Sequence, residues 1–318
     1  SGRWGENPKF EIRNSKSVER GIMNQELNPD RSGHLDVNDR KIWWEYFGKG
    51  DRQAICLLNG LAMHTKAWYG FLPLLIDEYD VILYDFPGQG ESSKEDEPYF
   101  IDEIARYLAL IMDEVGVEKI HPMGISYGGF IALEFARLFP DRLHTLVLSG
   151  ILASREKLFQ MYQDISLRFY RGNEGEFELY THYMYEKIFS ERFVKNISDE
   201  QLAAMRQRFY ARYIDYRYCL IRLTEAQDPF FANIEERVEG YRKVTAPTLI
   251  MAGAHDRAIP LWQQEKLTEI FPNSRYELVP ESGHVVYIER PDIFFPALKA
   301  FMAAGSIDFE MPTGEAAS

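Results

Sequence analysis

The stretch Ile120-His-Pro-Met-Gly-Ile-Ser-Tyr-Gly-Gly129 decides how the rest of the chain is interpreted. Gly124, Ser126 and Gly128 match the pattern G-x-S-x-G, in which a strand turns sharply into a helix and carries a serine above the sheet. Glycine suits these positions because a side chain would collide across so tight a turn. Before the pattern the sequence is typical of a short buried strand, and from Phe130 onward apolar side chains repeat at helical spacing. Strand, turn and helix are the context that this pattern requires.

A second glycine turn lies upstream, where Asp85-Phe-Pro-Gly-Gln-Gly-Glu-Ser92 matches D-x-x-G-x-G-x-S. With both turns, the sequence resembles the serine α/β hydrolases from about residue 34 to residue 304. The resemblance implies a mostly parallel sheet flanked by helices, an inserted helical cap, and a Ser, Asp or Glu, His triad in that chain order. The alternation of apolar strands with helices of about ten to fifteen residues also predicts βαβ units and a parallel sheet.

Changes in pattern along the chain predict its division into parts. Residues 1–33 are polar and aperiodic, which predicts a surface arm. Residues 34–150 and 245–304 alternate strands with helices and are predicted to form the α/β-hydrolase core. Residues 151–244 are rich in aromatic side chains at helical spacing and are predicted to form the cap, and 305–318 a polar tail.

Some elements have predicted bounds that a structure can test. An opening hairpin is predicted from strands at 34–37 and 41–47, joined by a turn. Helices are predicted over 68–76 and 101–115, and the last strand over 274–279.

Two candidate partners for Ser126 follow the later strands. Asp256 comes after the apolar stretch 246–252, and His284 lies on the loop after the last strand. In open α/β sheets, active sites collect at the carboxyl edge of the strands. A serine hydroxyl needs a base, and histidine, with an ordinary pKa of about 6.5, can take that proton and return it to a leaving group. Asp256 would orient His284, and the order Ser, Asp, His matches the resemblance.

Three other titratable residues lie near these partners in the sequence. Glu281 and Glu289 flank His284 and could replace Asp256, but their position after the last strand fits the triad acid less well. His255 is adjacent to Asp256, and because chain neighbours point apart it is predicted to be a supporting or surface residue.

The loop after the apolar strand 54–58 completes the predicted site. The resemblance implies that the backbone N–H groups of Leu61 and Tyr127 stabilise the oxyanion. Asn59 stands where histidine is common in the family, but the hole should survive this change because its donors are backbone groups. Possible substrate contacts in the same loop are Met63, His64 and Trp68.

Composition argues against several other functions. The 318 residues include 36 Lys and Arg against 49 Asp and Glu, a net charge of -13, which disfavours nucleic acid and anionic membranes as partners. No apolar run approaches the about 18 residues of a membrane span, and no signal peptide is recognised, so a cytoplasmic location is predicted. Cys56 and Cys219 lie in apolar stretches and are predicted to be buried free thiols. The spacing of His and Cys matches no metal motif, and neither a metal nor a cofactor is predicted.

These features predict a serine hydrolase that cleaves a carboxylic ester or thioester through an acyl-enzyme intermediate. The aromatic residues of 151–244 are interpreted as the cap core, or as the lining of an apolar tunnel for an apolar acyl substrate. An acyltransferase that moves a (hydroxy)acyl group from a thioester to an alcohol would use the same residues. A ligand-binding protein that kept the fold without the chemistry is the third possibility. The acyl group, the acceptor, the oligomeric state and the role of the arm are left open.

Overall fold

The computed structural model describes residues 27–312 of the chain. Eight strands in this part form a single sheet. They are β1 (Arg31–Val37), β2 (Arg40–Phe47), β3 (Ala54–Leu58), β4 (Asp80–Tyr84), β5 (Ile120–Ile125), β6 (Leu146–Ser149), β7 (Thr248–Gly253) and β8 (Ser274–Val279).

The strands lie side by side in the order β1-β2-β4-β3-β5-β6-β7-β8. β1 pairs antiparallel with β2, and β2 pairs antiparallel with β4. The other six strands, β3 to β8, pair in parallel with one another. Alternate side chains of β3 enter different apolar clusters, with Cys56 and Leu58 on one face and Ile55 and Leu57 on the other. Burial on both faces explains why this strand is an unbroken apolar run in the sequence.

Helices cover both faces of this sheet. The mostly parallel sheet flanked by helices confirms the predicted α/β-hydrolase fold. None of the described helices is long and apolar enough to cross a membrane. The helices are α1 (Ile101–Val115), α2 (Tyr127–Leu138), α3 (Lys157–Arg171), α4 (Glu174–Ile188), α5 (Glu191–Asn196), α6 (Asp199–Tyr213), α7 (Arg217–Glu225), α8 (Gln227–Ala232), α9 (Ile234–Tyr241), α10 (Leu261–Glu265), α11 (Val286–Glu289) and α12 (Pro291–Ala304).

The region predicted to be the cap, residues 151–244, contains helices α3 to α9. Its aromatic rings pack largely against each other: Phe177 contacts Tyr170, Tyr180 and Phe209. The hydroxyl of Tyr170 donates to that of Tyr180 at 2.7 Å, so even the polar ends of these rings are paired inside the cluster. These contacts favour the interpretation of this group of rings as a core of its own.

A strand and a buried side chain extend into the two segments that the sequence predicts to be an arm and a tail. Strand β1 begins at Arg31, before the predicted boundary of the arm at residue 33, and residues 1–26 lie outside the described part. The predicted hairpin is confirmed, and its two turn residues, Asn38 and Asp39, have positive φ angles of 48° and 62°. In the predicted tail, Phe309 is buried against Phe301, so its described residues are not a free polar segment.

Helix bounds were predicted well where no proline or glycine interrupts the pattern. The predictions for α1 and β8 are confirmed to the residue. The single helix predicted over 68–76 is wrong, because two short 3-10 helices, Thr65–Trp68 and Leu72–Leu74, take its place. Gly70 and Pro73 fall inside that stretch, and proline lacks the N–H that a continuous helix would use.

Candidate active site

Ser126 lies between β5 and α2 in a backbone conformation that few serines adopt, with φ 50° and ψ -122°. A Cβ added at Gly124 would lie 2.7 Å from the Cα of Gly129, and one at Gly128 would lie 2.7 Å from the carbonyl oxygen of Asn59. Only glycine fits at these two positions, because the opposing atoms belong to the backbone. The strand, sharp turn and helix predicted around Ser126 are confirmed, and the backbone of the serine is strained at the sheet edge.

Asp256 follows β7, and its carboxylate is fully buried. Oδ1 accepts hydrogen bonds from the backbone N–H groups of Ala258 at 2.8 Å and Ile259 at 2.9 Å. Oδ2 accepts from Nε2 of Gln264 and is bonded to Nδ1 of His284, both at 2.9 Å. Four hydrogen bonds therefore fix the position of this carboxylate.

His284 follows β8, and only 6% of its side chain is exposed. A Cβ added at Gly150, just beyond β6, would lie 2.7 Å from Cε1 of the imidazole, so the ring packs directly on the end of that strand. Because Nδ1 is bonded to the Asp256 carboxylate, Nε2 is left with the lone pair in the neutral ring. Burial alone would lower the pKa of His284, but the charge and hydrogen bond of Asp256 raise it above its ordinary value.

The predicted residues lie at one edge of the sheet because their strands are neighbours. β5, β6, β7 and β8 are adjacent and parallel, so their carboxyl ends form one continuous edge. Ser126 follows β5, Asp256 follows β7 and His284 follows β8, while the N–H of Ser126 donates to the carbonyl of Ser149 in β6 at 2.9 Å. The structure thus brings the serine, the acid and the histidine to one edge of the sheet.

Gln264 is a component of the site that the sequence did not reveal. Its fully buried amide donates to Oδ2 of Asp256 and accepts the N–H of Gly150 at 3.1 Å. The side chain therefore joins the acid to the strand end on which the His284 ring packs. No motif marks this glutamine, which lies in α10.

The loop after β3 lies beside the serine. A Cβ at Gly60 would lie 3.8 Å from Cβ of Ser126. The N–H of Gly60 donates to Sδ of Met63 at 3.1 Å, and the N–H of Met63 donates to the carbonyl of Gly60 at 3.2 Å. Leu61 is the first residue inside this turn, and Tyr127 is the first residue of α2, where the helix provides no acceptor for its N–H.

The side chain of Asn59 holds this loop in place through hydrogen bonds. Its buried side-chain N–H group donates to the carbonyl of Tyr84 at 3.0 Å, and its oxygen accepts the indole N–H of Trp68 at 2.9 Å. Trp68 is fully buried in the core, and its contact with substrate stays a prediction. Asp85 of the second glycine turn binds the same loop through the N–H of Thr65 at 2.7 Å, and burial raises its pKa to about 6.

His64 and Met63, the other two predicted contacts, remain partly exposed. Burial, followed by the positive charges of Arg212 in α6 and Lys66, lowers the pKa of His64 to about 3, so this ring is neutral at physiological pH. The hydroxyl of Tyr287 donates to the Met63 sulfur at 3.5 Å.

The alternative acids occupy different environments. Glu281 is exposed, whereas the buried carboxylate of Glu289 binds the N–H of Gly283 at 3.0 Å and the N–H of Ser190 at 3.1 Å. Neither takes the place of Asp256 on His284. His255 is exposed, as predicted, and lines a charged cleft of about 540 Å³ whose walls include Asp256 but neither Ser126 nor His284.

The two cysteines are free and buried, which confirms the prediction for them. Within residues 27–312, no group of three or more His, Cys, Asp or Glu side chains is arranged to hold a metal ion.

Comparison with known proteins places this site in a known family. The family model described as alpha/beta hydrolase fold matches residues 53–291. The protein named "Putative carbamate hydrolase RutD" from Pseudomonas syringae pv. syringae (strain B728a) is 27% identical over 258 residues, which cover 80% of this chain and 95% of that protein. 3-Oxoadipate enol-lactonase 2 from Acinetobacter baylyi (strain ATCC 33305 / BD413 / ADP1) is 25% identical over 270 residues, 84% of this chain and 95% of that protein.

Among solved structures, MGS-M2, an alpha/beta hydrolase enzyme from a Medee basin deep-sea metagenome library, superposes with a TM-score of 0.77. The two are 24% identical, and the match covers 87% of this chain and 100% of that one. The family model spans well over half of the sequence, and it includes the serine turn, the acid and the histidine. The chain therefore belongs to the α/β hydrolase fold family.

Proposed function

We propose that this protein is a serine hydrolase that cleaves a carboxylic ester, or a related acyl compound such as a thioester, through an acyl-enzyme intermediate. Ser126 is the nucleophile, His284 the general base and acid, and Asp256 the residue that orients the histidine. The observation that carries this proposal is the buried bond of 2.9 Å between Nδ1 of His284 and Oδ2 of Asp256, at the strand edge where the strained Ser126 turn lies.

The first half of the reaction forms the acyl-enzyme. Oγ of Ser126 attacks the substrate carbonyl carbon while Nε2 of His284 takes the hydroxyl proton. The negative oxygen of the tetrahedral intermediate accepts hydrogen bonds from the N–H groups of Leu61 and Tyr127. His284 then returns the proton to the departing alcohol or thiol, and the acyl group stays on Ser126 as an ester.

The second half releases the acid. Nε2 of His284 takes a proton from a water molecule, which attacks the acyl-enzyme carbonyl. The intermediate collapses, and the proton returns to Oγ of Ser126. The buried carboxylate of Asp256 stabilises the imidazolium that forms in both halves of the reaction. Asp256 raises the pKa of His284, as expected of a group that stabilises the protonated ring.

The names of the relatives indicate the kind of bond. One is named as a carbamate hydrolase and another as an enol-lactonase. A carbamate and a lactone both present a carbonyl bonded to a heteroatom leaving group, which is the group that this arrangement of residues would attack. No metal or cofactor is required for either half of the reaction.

Labelling with a fluorophosphonate probe tests the proposal directly. The wild-type protein should be labelled on Ser126 and should hydrolyse p-nitrophenyl acetate or butyrate, whereas Ser126→Ala should do neither. A folded wild-type protein that takes no label would refute the nucleophile and favour the ligand-binding alternative. Formation of a new ester from an added alcohol, in preference to the free acid, would favour the acyltransferase.

A further inference from the structure

The loop of His284 is hydrogen-bonded to the cap corner, which is defined as residues 188–190, where α4 ends just before α5 begins. The N–H of His284 donates to the carbonyl of Ile188 at 2.8 Å. Gly283, the preceding residue, lies so close to this corner that an added Cβ would come within 2.6 Å of the same carbonyl and 2.7 Å of the Ser190 nitrogen. The base therefore has the cap corner as its immediate backbone neighbour.

Glu289 joins the His284 loop to the cap corner through hydrogen bonds. Its carboxylate is buried, with 8% of the residue exposed, and it accepts the N–H of Gly283 at 3.0 Å on Oε1 and the N–H of Ser190 at 3.1 Å on Oε2. The Ser190 hydroxyl also donates to Oε2. Burial raises the pKa of Glu289, and the three hydrogen bonds oppose that rise because all three partners are donors and an ionised carboxylate only accepts.

We propose that Glu289 is a positioning residue that holds the His284 loop against the cap corner 188–190, so that the cap and the general base keep a fixed relative position. The inference rests on the proposed function of His284, because it assigns Glu289 a role that acts through that base. It accounts for a buried acid that the reaction itself does not use.

An amide cannot replace this carboxylate without a mismatch. Glutamine at 289 would present one oxygen and one NH₂ group to two backbone N–H groups and a hydroxyl, so an NH₂ group would face a donor. The substitution also removes a negative charge near His284. Burial lowers the pKa of that histidine, and the charges that oppose burial are Asp256 on the loop after β7 and, with a smaller effect, Glu289 on α11.

The test compares Glu289→Gln with Glu281→Gln. Glu281 is in the same loop and carries the same charge, but it is exposed and pairs with Arg192 and Arg290 at 3.6 and 3.8 Å. With a p-nitrophenyl ester, Glu289→Gln should reduce kcat about tenfold or more with KM changed less than about threefold. The acid limb of its kcat/KM profile should move to lower pH by several tenths of a unit, because a charge that raises the pKa of His284 is gone. Glu281→Gln should resemble wild type in all three quantities.

A second pair of variants keeps the test decisive if Glu289→Gln does not fold. Ser190→Ala removes the hydroxyl that binds Glu289 and also the N-cap of α5, whereas Ser198→Ala removes only the N-cap of α6. Ser190→Ala should reduce kcat several-fold without moving the acid limb, and Ser198→Ala should leave kcat unchanged.

The outcomes separate this inference from the proposed function. Absence of fluorophosphonate labelling in the wild type would overturn the proposed function. An active wild type together with a folded Glu289→Gln protein of wild-type kcat and pH profile would overturn the positioning role alone. Should Glu289→Gln unfold, a Ser190→Ala protein with wild-type kcat would overturn it equally.

Discussion

Ser126 carries the strain that its proposed chemistry requires. Its φ of 50° and ψ of -122° lie outside the regions that residues with a side chain commonly adopt, at a turn where backbone atoms leave no room for a Cβ at Gly124 or Gly128. A serine on a relaxed helix or strand would have no comparable reason to adopt this conformation. The strain lies in the backbone at this position, so alanine in place of the serine would carry it equally.

Replacing the proposed nucleophile should therefore remove activity and preserve the fold. We expect Ser126→Ala to lower kcat by roughly 10³ to 10⁶-fold. His284→Ala should lower kcat about as much, and the double variant scarcely more, because the two residues act as one unit. Steady-state kinetics with circular dichroism as a folding control measures this. If Ser126→Ala kept more than a tenth of the activity, the mechanism would be abandoned.

The pH dependence of kcat/KM should report the ionisation of His284. The base acts only when neutral, so activity should fall as the pH drops below its pKa. Burial opposes protonation, but Asp256 outweighs it and raises the pKa of His284, which places the acid limb above about 6.5, the ordinary histidine value. The profile should be measured with an ester whose turnover is not limited by diffusion. A flat profile from pH 5 to 8 contradicts this role for His284.

Residues that the sequence could indicate are those beside a recognisable turn or strand end. The glycines around Ser126 are recognisable because a side chain would not fit in the turn. Asp256 and His284 are recognisable because each follows a strand that the sequence predicts. Asn59 and Gln264 could not be assigned roles in this way, because an amide side chain has no periodic signature. Their roles come from partners far along the chain, Trp68 and Tyr84 for the first and Gly150 for the second.

Helix α2 approaches the backbone of the sheet closely at its first turn. It starts where Gly128 passes the carbonyl groups at the end of β3, with the nearest atoms of Leu58 and Asn59 both belonging to the backbone. A methyl group cannot be accommodated there by rotation of a neighbouring side chain. The position of the whole helix depends on this close approach.

Gly128→Ala should accordingly lower the free energy of unfolding by about 1–3 kcal/mol, the usual cost of overpacking. The matched control is Gly70→Ala, because a Cβ at Gly70 meets no atom within 4 Å. Urea denaturation of both variants measures the difference, with the control expected within about 0.5 kcal/mol of wild type. Equal stability of the two variants would show that α2 can shift away from β3 at little cost.

The error over residues 68–76 shows what element-scale patterns miss. The apolar spacing there is helical, but Pro73 and Gly70 divide it, and the chain forms two 3-10 turns instead. The strand at β8 and the helix α1 were predicted to the residue because no such interruption falls within them.

At the scale of the whole molecule, the aromatic residues of the cap region form two groups, which Tyr162, Tyr183 and Phe169 connect through ring contacts. Rings around Phe177 pack on each other, whereas Phe159 contacts Phe130, one turn beyond Ser126 in α2. Phe130 also contacts Phe230 and Phe231 of α8. This second group lies on α2, the helix that follows the proposed nucleophile.

A panel of p-nitrophenyl esters with acyl chains of two to twelve carbons tests the apolar-tunnel hypothesis. Each buried methylene contributes about 0.8 kcal/mol, so medium chains should exceed acetyl by about tenfold or more in kcat/KM until the space ends. If the second group of rings packs only against itself, chain length will have little effect. A flat response, or a preference for acetyl, would refute the tunnel and leave the roles of Ser126 and His284 untouched.

The hydrogen bond from the His284 N–H to the carbonyl of Ile188 also bears on how relatives of this protein could be recombined. A chimera with a crossover between these residues would join a cap corner from one parent to a histidine loop from the other. Their backbones must approach closely at Gly283, so small differences in loop length would displace the histidine. Segments 186–190 and 281–289 should therefore be inherited from the same parent, and shuffled libraries that separate them should be depleted of active members.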